Sequence, residues 1–249
     1  KAALFMVISP VAGLVLGALL ILIVRGILRL TGSDGSGRPV KGLQLLSSAA
    51  VSLGHGSNDA QKTMGVIAAL LVANGYLRQP GSTLPIPLWV VLAAHAAIAA
   101  GTLSGGWRIV RTLGTRITPL RPADGFAAEA AAATALFTST GLGAPVSTTH
   151  TVAGAITGVG VANGSVRWDT FGSMAIAWVA TIPAAAVTAA VIYRLVTLPR
   201  PASAILVVAV LAALVAGVVV ATRRTVRASD LEREIRDQSQ RPTPTATPA

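Results

Sequence analysis

Gly54-His55-Gly56-Ser57-Asn58-Asp59-Ala60-Gln61-Lys62-Thr63 gathers a carboxylate, an ammonium, an imidazole and two amide side chains inside Leu43 to Ala73, a stretch that is apolar at both ends. An ionisable group at membrane depth costs at least about 2–3 kcal/mol, so such groups usually line a substrate or ion path, or pair with one another. Asp59 and Lys62 stand three apart and share a face if the helix continues, where they would neutralise each other. The two glycines instead predict a broken helix. A break frees backbone N–H groups at the start of the second half, a positive dipole end suited to an oxyanion. Carbonyls at the preceding helix end, together with a carboxylate, suit a hard cation. Asp59 is therefore read as functional, while Lys62 fits a coupling role and a plain ion pair equally.

A second cluster, Ser147-Thr148-Thr149, follows Gly143-Ala144-Pro145 and heads an apolar limb. Three hydroxyls beside the free N–H groups of a helix start repeat the oxyanion-binding device, although Ser and Thr there also serve as plain caps. His55 and His150 each adjoin a cluster and suit either proton carriage or hydrogen bonding in a packed interface. His95 stands alone in its apolar run and reads as an interhelical histidine. Neither cluster carries a His-Glu-x-x-His pair or a serine elbow, so an enzyme reading is weak. With no cysteine, thiolate metal sites and cysteine nucleophiles are excluded. Gly154 and Gly158, four apart, are read as close helix packing in lipid and not as ligand contacts.

The elements that must hold these clusters are set by composition. Of 249 residues, 53% are hydrophobic, 12% charged and 4% aromatic, far from a soluble domain. Ala2 to Val24, Ser173 to Tyr193 and Pro201 to Thr222 are uncharged and long enough to span hydrocarbon, which takes about 20 residues. Pro87 to Ser104 adds an apolar run containing His95. Two short apolar limbs around Gly143-Ala144-Pro145 predict a re-entrant helical hairpin, with two short crossings as the alternative. The fold expected is an all-α polytopic bundle with one broken helix and one re-entrant hairpin. Residues 1–222 form a transmembrane domain with motifs at 54–65 and 143–151, and 223–249 form a charged, Pro/Thr-rich tail.

The net charge of +11 resides in connectors: Arg25, Arg29, Arg38 and Lys41, then Arg108, Arg111, Arg116 and Arg121. Basic loops beside apolar spans set topology and place both connectors in the cytoplasm. No basic patch is interleaved with aromatics, which argues against a nucleic-acid partner. The first span opens at once after Lys1, so the sequence reads as an excerpt beginning mid-protein.

His55-Gly56-Ser57-Asn58-Asp59-Ala60-Gln61-Lys62-Thr63-Met64-Gly65 and Gly143-Ala144-Pro145-Val146-Ser147-Thr148-Thr149-His150 resemble the signatures of the inorganic phosphate transporter family, the low-affinity phosphate permeases. The resemblance covers everything but the tail. It implies two inverted repeats, each with one Asn-Asp motif and one Ser/Thr-rich hairpin, holding substrate between them. Each motif occurs once here, so the chain is expected to be the carboxy-terminal repeat, with a partner copy or a missing amino-terminal repeat completing it. The resemblance further implies that Asn58, Asp59 and Gln61, with Ser147, Thr148 and Thr149, face the ion and phosphate region. Lys62, His55 and His150 would support them, and Asp59 would be the metal ligand if sodium is the coupling ion. No cofactor is implied beyond sodium or a proton, and the setting implied is the inner, or plasma, membrane. Sulfate permeases of the same family are the nearest alternative.

Overall fold

The computed structural model describes residues 2–79, 81–104, 106–144, 146–199 and 201–223. The regular elements among them are helices: α1 (Ala2–Leu30), α2 (Arg38–Ala73), α3 (Leu88–Ser104), α4 (Trp107–Arg111), α5 (Pro122–Gly141), α6 (Thr148–Asn163), α7 (Trp168–Val196) and α8 (Ala202–Arg223), with a π-helical turn, Thr112–Arg116, after α4. The tail expected over 223–249 lies, beyond Arg223, outside the described residues. Two stretches, Phe5–Thr31, which takes in most of α1, and Trp168–Val196, the whole of α7, are long and apolar enough to cross a membrane. Helix α3 runs for 17 residues, and α8, which takes in most of the apolar run read over Pro201 to Thr222, for 22.

The described helices fall into two compact units. The first, residues 1–104 and 113–167, holds α1, α2, α3, α5 and α6. Its helix directions follow from the side-chain contacts. Ser47 and Asn58 of α2 meet Glu129 and Thr140 of α5, so both chains advance together and these helices are parallel. Pro10, Leu14 and Arg25 of α1 meet Gly154, Gly158 and Ala162 of α6 in the same sense, a second parallel pair. Helices α5 and α6 are antiparallel, because Asp124 at the start of α5 accepts from Asn163 at the end of α6. One end of this unit therefore collects the end of α1, the starts of α2 and α5, and the end of α6.

Backbone contact fixes α1 on α6. A Cβ added at Gly13 or Gly17 would collide with the carbonyl oxygens of Thr151 or Ala155, and one at Gly154 or Gly158 with those of Pro10 or Leu14. These glycines are close because lipid supplies no hydrophobic drive between helices; small residues let backbones approach and gain van der Waals contact instead. The packing role read for Gly154 and Gly158 holds, and its counterpart is the Gly13 and Gly17 pair. At the helix ends the Arg25 guanidinium donates to Ala162 O at 3.1 Å and to the Asn163 side chain. It thus satisfies a terminal carbonyl of α6 while its charge complements that helix's negative end.

Helix α2 corrects the sequence expectation. It runs unbroken for 36 residues through Gly54 and Gly56, so the predicted broken helix is absent. A glycine in a helix interior costs about 1 kcal/mol relative to alanine but leaves the N–H to carbonyl ladder intact, unlike proline. Gly54 is used for packing: it is buried, and a Cβ there would sit 3.4 Å from the Leu136 side chain on α5. Gly56 faces open space. Beyond the motif, Ala60 and Met64 of α2 pack on Val90 and Ala94 of α3, closing a small apolar core.

The second unit, residues 105–112 and 168–249, holds α4, α7 and α8. Helices α7 and α8 are in contact, and Trp168, Phe171 and Trp178 meet edge to face along the first turns of α7. None of the described residues of α7 is buried, so its apolar side chains, Ile176 and Val179 among them, face outward.

Candidate functional site

The hairpin formed by α5 and α6 delivers the second polar cluster to the first. Helix α5 ends in a Schellman turn: Gly143 adopts φ 62°, Ala144 N–H donates to Ser139 O at 2.8 Å and Gly143 N–H to Thr140 O at 3.1 Å. That positive φ suits glycine and reverses the chain tightly. Helix α6 then starts at Thr148 with Ser147 as its cap, the Ser147 hydroxyl accepting from His150 N–H at 3.4 Å and its carbonyl from Thr151 N–H at 3.0 Å. Because Thr140 lies level with Asn58, the reversal occurs beside the middle of α2 and not at its far end. About 20 Å of α2, from Ala60 to Ala73, continues past it at 1.5 Å per residue.

Asp59 is the junction. Its Oδ2 accepts the Thr148 hydroxyl at 3.0 Å and lies 2.9 Å from His55 Nε2, one turn back on α2. Its Oδ1 accepts from Lys62 Nζ at 3.0 Å, one turn forward. The same Nζ donates to Val146 O in the hairpin turn at 2.9 Å. The anion on α2 is thus held by groups from both helices, and the ammonium clamps it to the turn. Asn58, beside it in sequence, is buried, and its Nδ2 makes a long contact of 3.5 Å to Thr140 Oγ1. Its Oδ1 is buried with no hydrogen-bond partner among the described residues. Such a group implies a ligand or a further donor, because burial of an unsatisfied carbonyl is costly.

The other anticipated residues divide. Thr148 is buried and engaged, Ser147 serves as the cap, and Thr149 is exposed at the first turn of α6. Gln61 is also exposed, and among the described residues no hydrogen bond holds it. Two residues along a helix turn it by about 200°, so Gln61 cannot share the direction of Asp59. His150 lies against the Met6 backbone of α1 and is tied to packing there. His95 donates within its own helix, Nδ1–H to Val91 O at 2.8 Å, and is not the interhelical contact expected of it.

One further carboxylate acquires partners that spacing did not reveal. Glu129 on α5 accepts from Ser47 Oγ and Ser48 Oγ of α2, each at 2.7 Å. The signal available in the sequence was an acidic residue in an alanine-rich run and a serine pair in an apolar one. Only the parallel pairing of α2 with α5 brings them together.

With helix α2 continuous, the free backbone donors at this site belong to α6 alone. At its first turn the His150 amide is taken by Ser147, the Thr149 hydroxyl is exposed, and Lys62 Nζ lies against Val146 O just before the helix start. Among the described residues no group of three or more His, Cys, Asp or Glu side chains is arranged to hold a metal ion. For sodium, Asp59 Oδ2 already has two partners and Oδ1 has Lys62, so a metal there would compete with the ammonium.

The chain is 51% identical over 195 residues to a probable low-affinity inorganic phosphate transporter of Rhizobium meliloti (strain 1021), the alignment taking in 78% of this chain and 58% of that protein. It is 40% identical over 194 residues to a protein of the same description from Mycobacterium leprae (strain TN), covering 77% of this chain and 46% of the other. A solved structure described as the sodium-dependent phosphate transporter is 34% identical, with a TM-score of 0.51 over 56% of this chain and 35% of its own. This chain therefore spans about half the length of the curated relatives it matches. The sequence profile of the phosphate transporter family matches residues 32–189, a stretch that contains α2, the α5–α6 hairpin and both polar clusters. By that match this membrane protein belongs to the phosphate transporter family, whose members are transporters and not enzymes.

Proposed function

We propose that this chain is the second of two inverted repeats in a multi-pass inner-membrane transporter that carries inorganic phosphate together with a cation moving down its gradient. The observation that supports this reading best is the Thr148 to Asp59 hydrogen bond, which joins the two family motifs across the contact between hairpin and helix. Phosphate oxygens would accept from the first-turn amides of α6 and from Thr149, while Lys62 and His55 offset charge around Asp59. The α5–α6 hairpin is re-entrant in this reading, its tip held at membrane depth beside α2 where a water-filled cavity covers the exposed backbone. A partner repeat, from the parent protein or a second copy, completes the far wall.

Transport follows if substrate and cation stabilise one arrangement of the hairpin against α2 more than the other. Sodium and the proton are the coupling ions considered; the solved relative described as sodium-dependent supports the first. Labelled phosphate uptake into proteoliposomes of the parent transporter, with each gradient imposed separately and sulfate as competitor, tests the proposal. Gradient-driven accumulation that resists equimolar sulfate supports it; inhibition by sulfate at equal concentration indicates a sulfate permease instead.

A further inference from the structure

We propose that Lys62 is a tethered cation occupying the place where a coupling sodium ion would bind Asp59, so that this repeat holds no sodium at its Asn-Asp motif. The inference rests on the transport reading above and narrows its choice of ion. The oxygens around Lys62 Nζ carry it. Asp59 Oδ1 at 3.0 Å and Val146 O at 2.9 Å, one charged and one a turn carbonyl, are the kind of ligands a hard cation takes. The second carboxylate oxygen is engaged by Thr148 and His55. Asn58 Oδ1 is the remaining buried oxygen without a partner among the described residues, and one neutral amide oxygen does not make a cation site.

Charge gives the same answer. Asp59 carries one negative charge, and Lys62 supplies one positive charge from three residues away on the same helix. An ammonium fixed to the helix holds its partner at the high effective concentration of any tethered group. Sodium would have to expel it and leave the lysine without its carboxylate partner beside the hairpin turn, and an uncompensated charge at membrane depth is costly. Removing the ammonium while keeping its apolar stem vacates both oxygens.

The test reads binding independently of transport: thermal unfolding of the purified parent transporter, titrated with sodium chloride against choline chloride at equal ionic strength. Wild type and Asp59→Asn are expected to respond alike to sodium. Lys62→Met is expected to gain a saturable, sodium-specific rise in Tm of several degrees, absent from the Lys62→Met/Asp59→Asn double variant. A sodium-specific rise in the wild type that Asp59→Asn abolishes would overturn the proposal, as would a folded Lys62→Met without any sodium response. If Lys62→Met does not fold, Lys62→Gln takes its place, and the comparison of wild type with Asp59→Asn decides regardless. Absence of phosphate uptake under every gradient would sink the transport reading and leave this comparison readable.

Discussion

Asn58 and Asp59, adjacent on α2, engage opposite limbs of the same hairpin: Asn58 Nδ2 reaches Thr140 at the end of α5, and Asp59 accepts from Thr148 at the start of α6. A shift of the hairpin along α2 by one residue's rise, about 1.5 Å, would change both bonds at once. The motif therefore reports hairpin position through two contacts of unequal strength, the Asp59 bond being charge-assisted and the Asn58 bond long.

Thr148 and Thr149 should separate under substitution. Thr148→Val keeps the shape but removes a donor to a carboxylate, a bond worth about 1.5–3 kcal/mol when buried and less at this half-exposed junction. A loss of about 1 kcal/mol in unfolding experiments, with uptake reduced tenfold or more, is expected. Thr149→Val, at an exposed hydroxyl, should leave stability unchanged and raise the KM for phosphate. Equal effects of the two variants on stability would contradict this division.

The α1–α6 contact predicts opposite outcomes for two glycine to alanine changes. Gly158→Ala drives a methyl into the Leu14 carbonyl, so α1 must move away; a loss of about 3 kcal/mol or more is expected, or failure to accumulate folded protein. Gly26→Ala meets nothing within 4 Å and should stabilise α1 by up to about 1 kcal/mol. Detergent-solubilised thermal unfolding measures both.

Glu129 ties α2 to α5 through two serine hydroxyls. Glu129→Ala leaves Ser48 without its acceptor and returns Ser47 to the Gln44 carbonyl; it should destabilise the protein by about 1–2 kcal/mol, whereas Glu129→Gln keeps one acceptor oxygen and should lose about half as much. The Ser47→Ala/Ser48→Ala variant reports the same link from the other side. Additive losses when it is combined with Glu129→Ala would show that the three side chains are not coupled.

Much of this architecture was legible in the sequence. Hydrophobic run length located the helices, the Gly143 turn predicted the hairpin, and the spacing of Gly154 and Gly158 marked a packing face. The missed feature, an unbroken α2, depends on a partner that local sequence does not contain: Gly54 packs on Leu136, far along the chain. Glycine composition alone does not distinguish a break from a close approach. Gln61 and Asp59 look equivalent as polar residues of one motif, yet helical phase turns them apart. The Glu129 and Ser47/Ser48 contact required knowing that α2 and α5 run parallel, a tertiary fact that no period in either helix encodes.

Labelled phosphate uptake by proteoliposomes containing the proposed transporter or its Asp59→Asn variant, under an imposed cation gradient with insertion verified for both, tests the role of Asp59 most directly. Gradient-driven accumulation is expected in the wild type, with its loss, by at least about tenfold, in Asp59→Asn. Equal accumulation by the two proteins would contradict the assignment of Asp59 to the transport site.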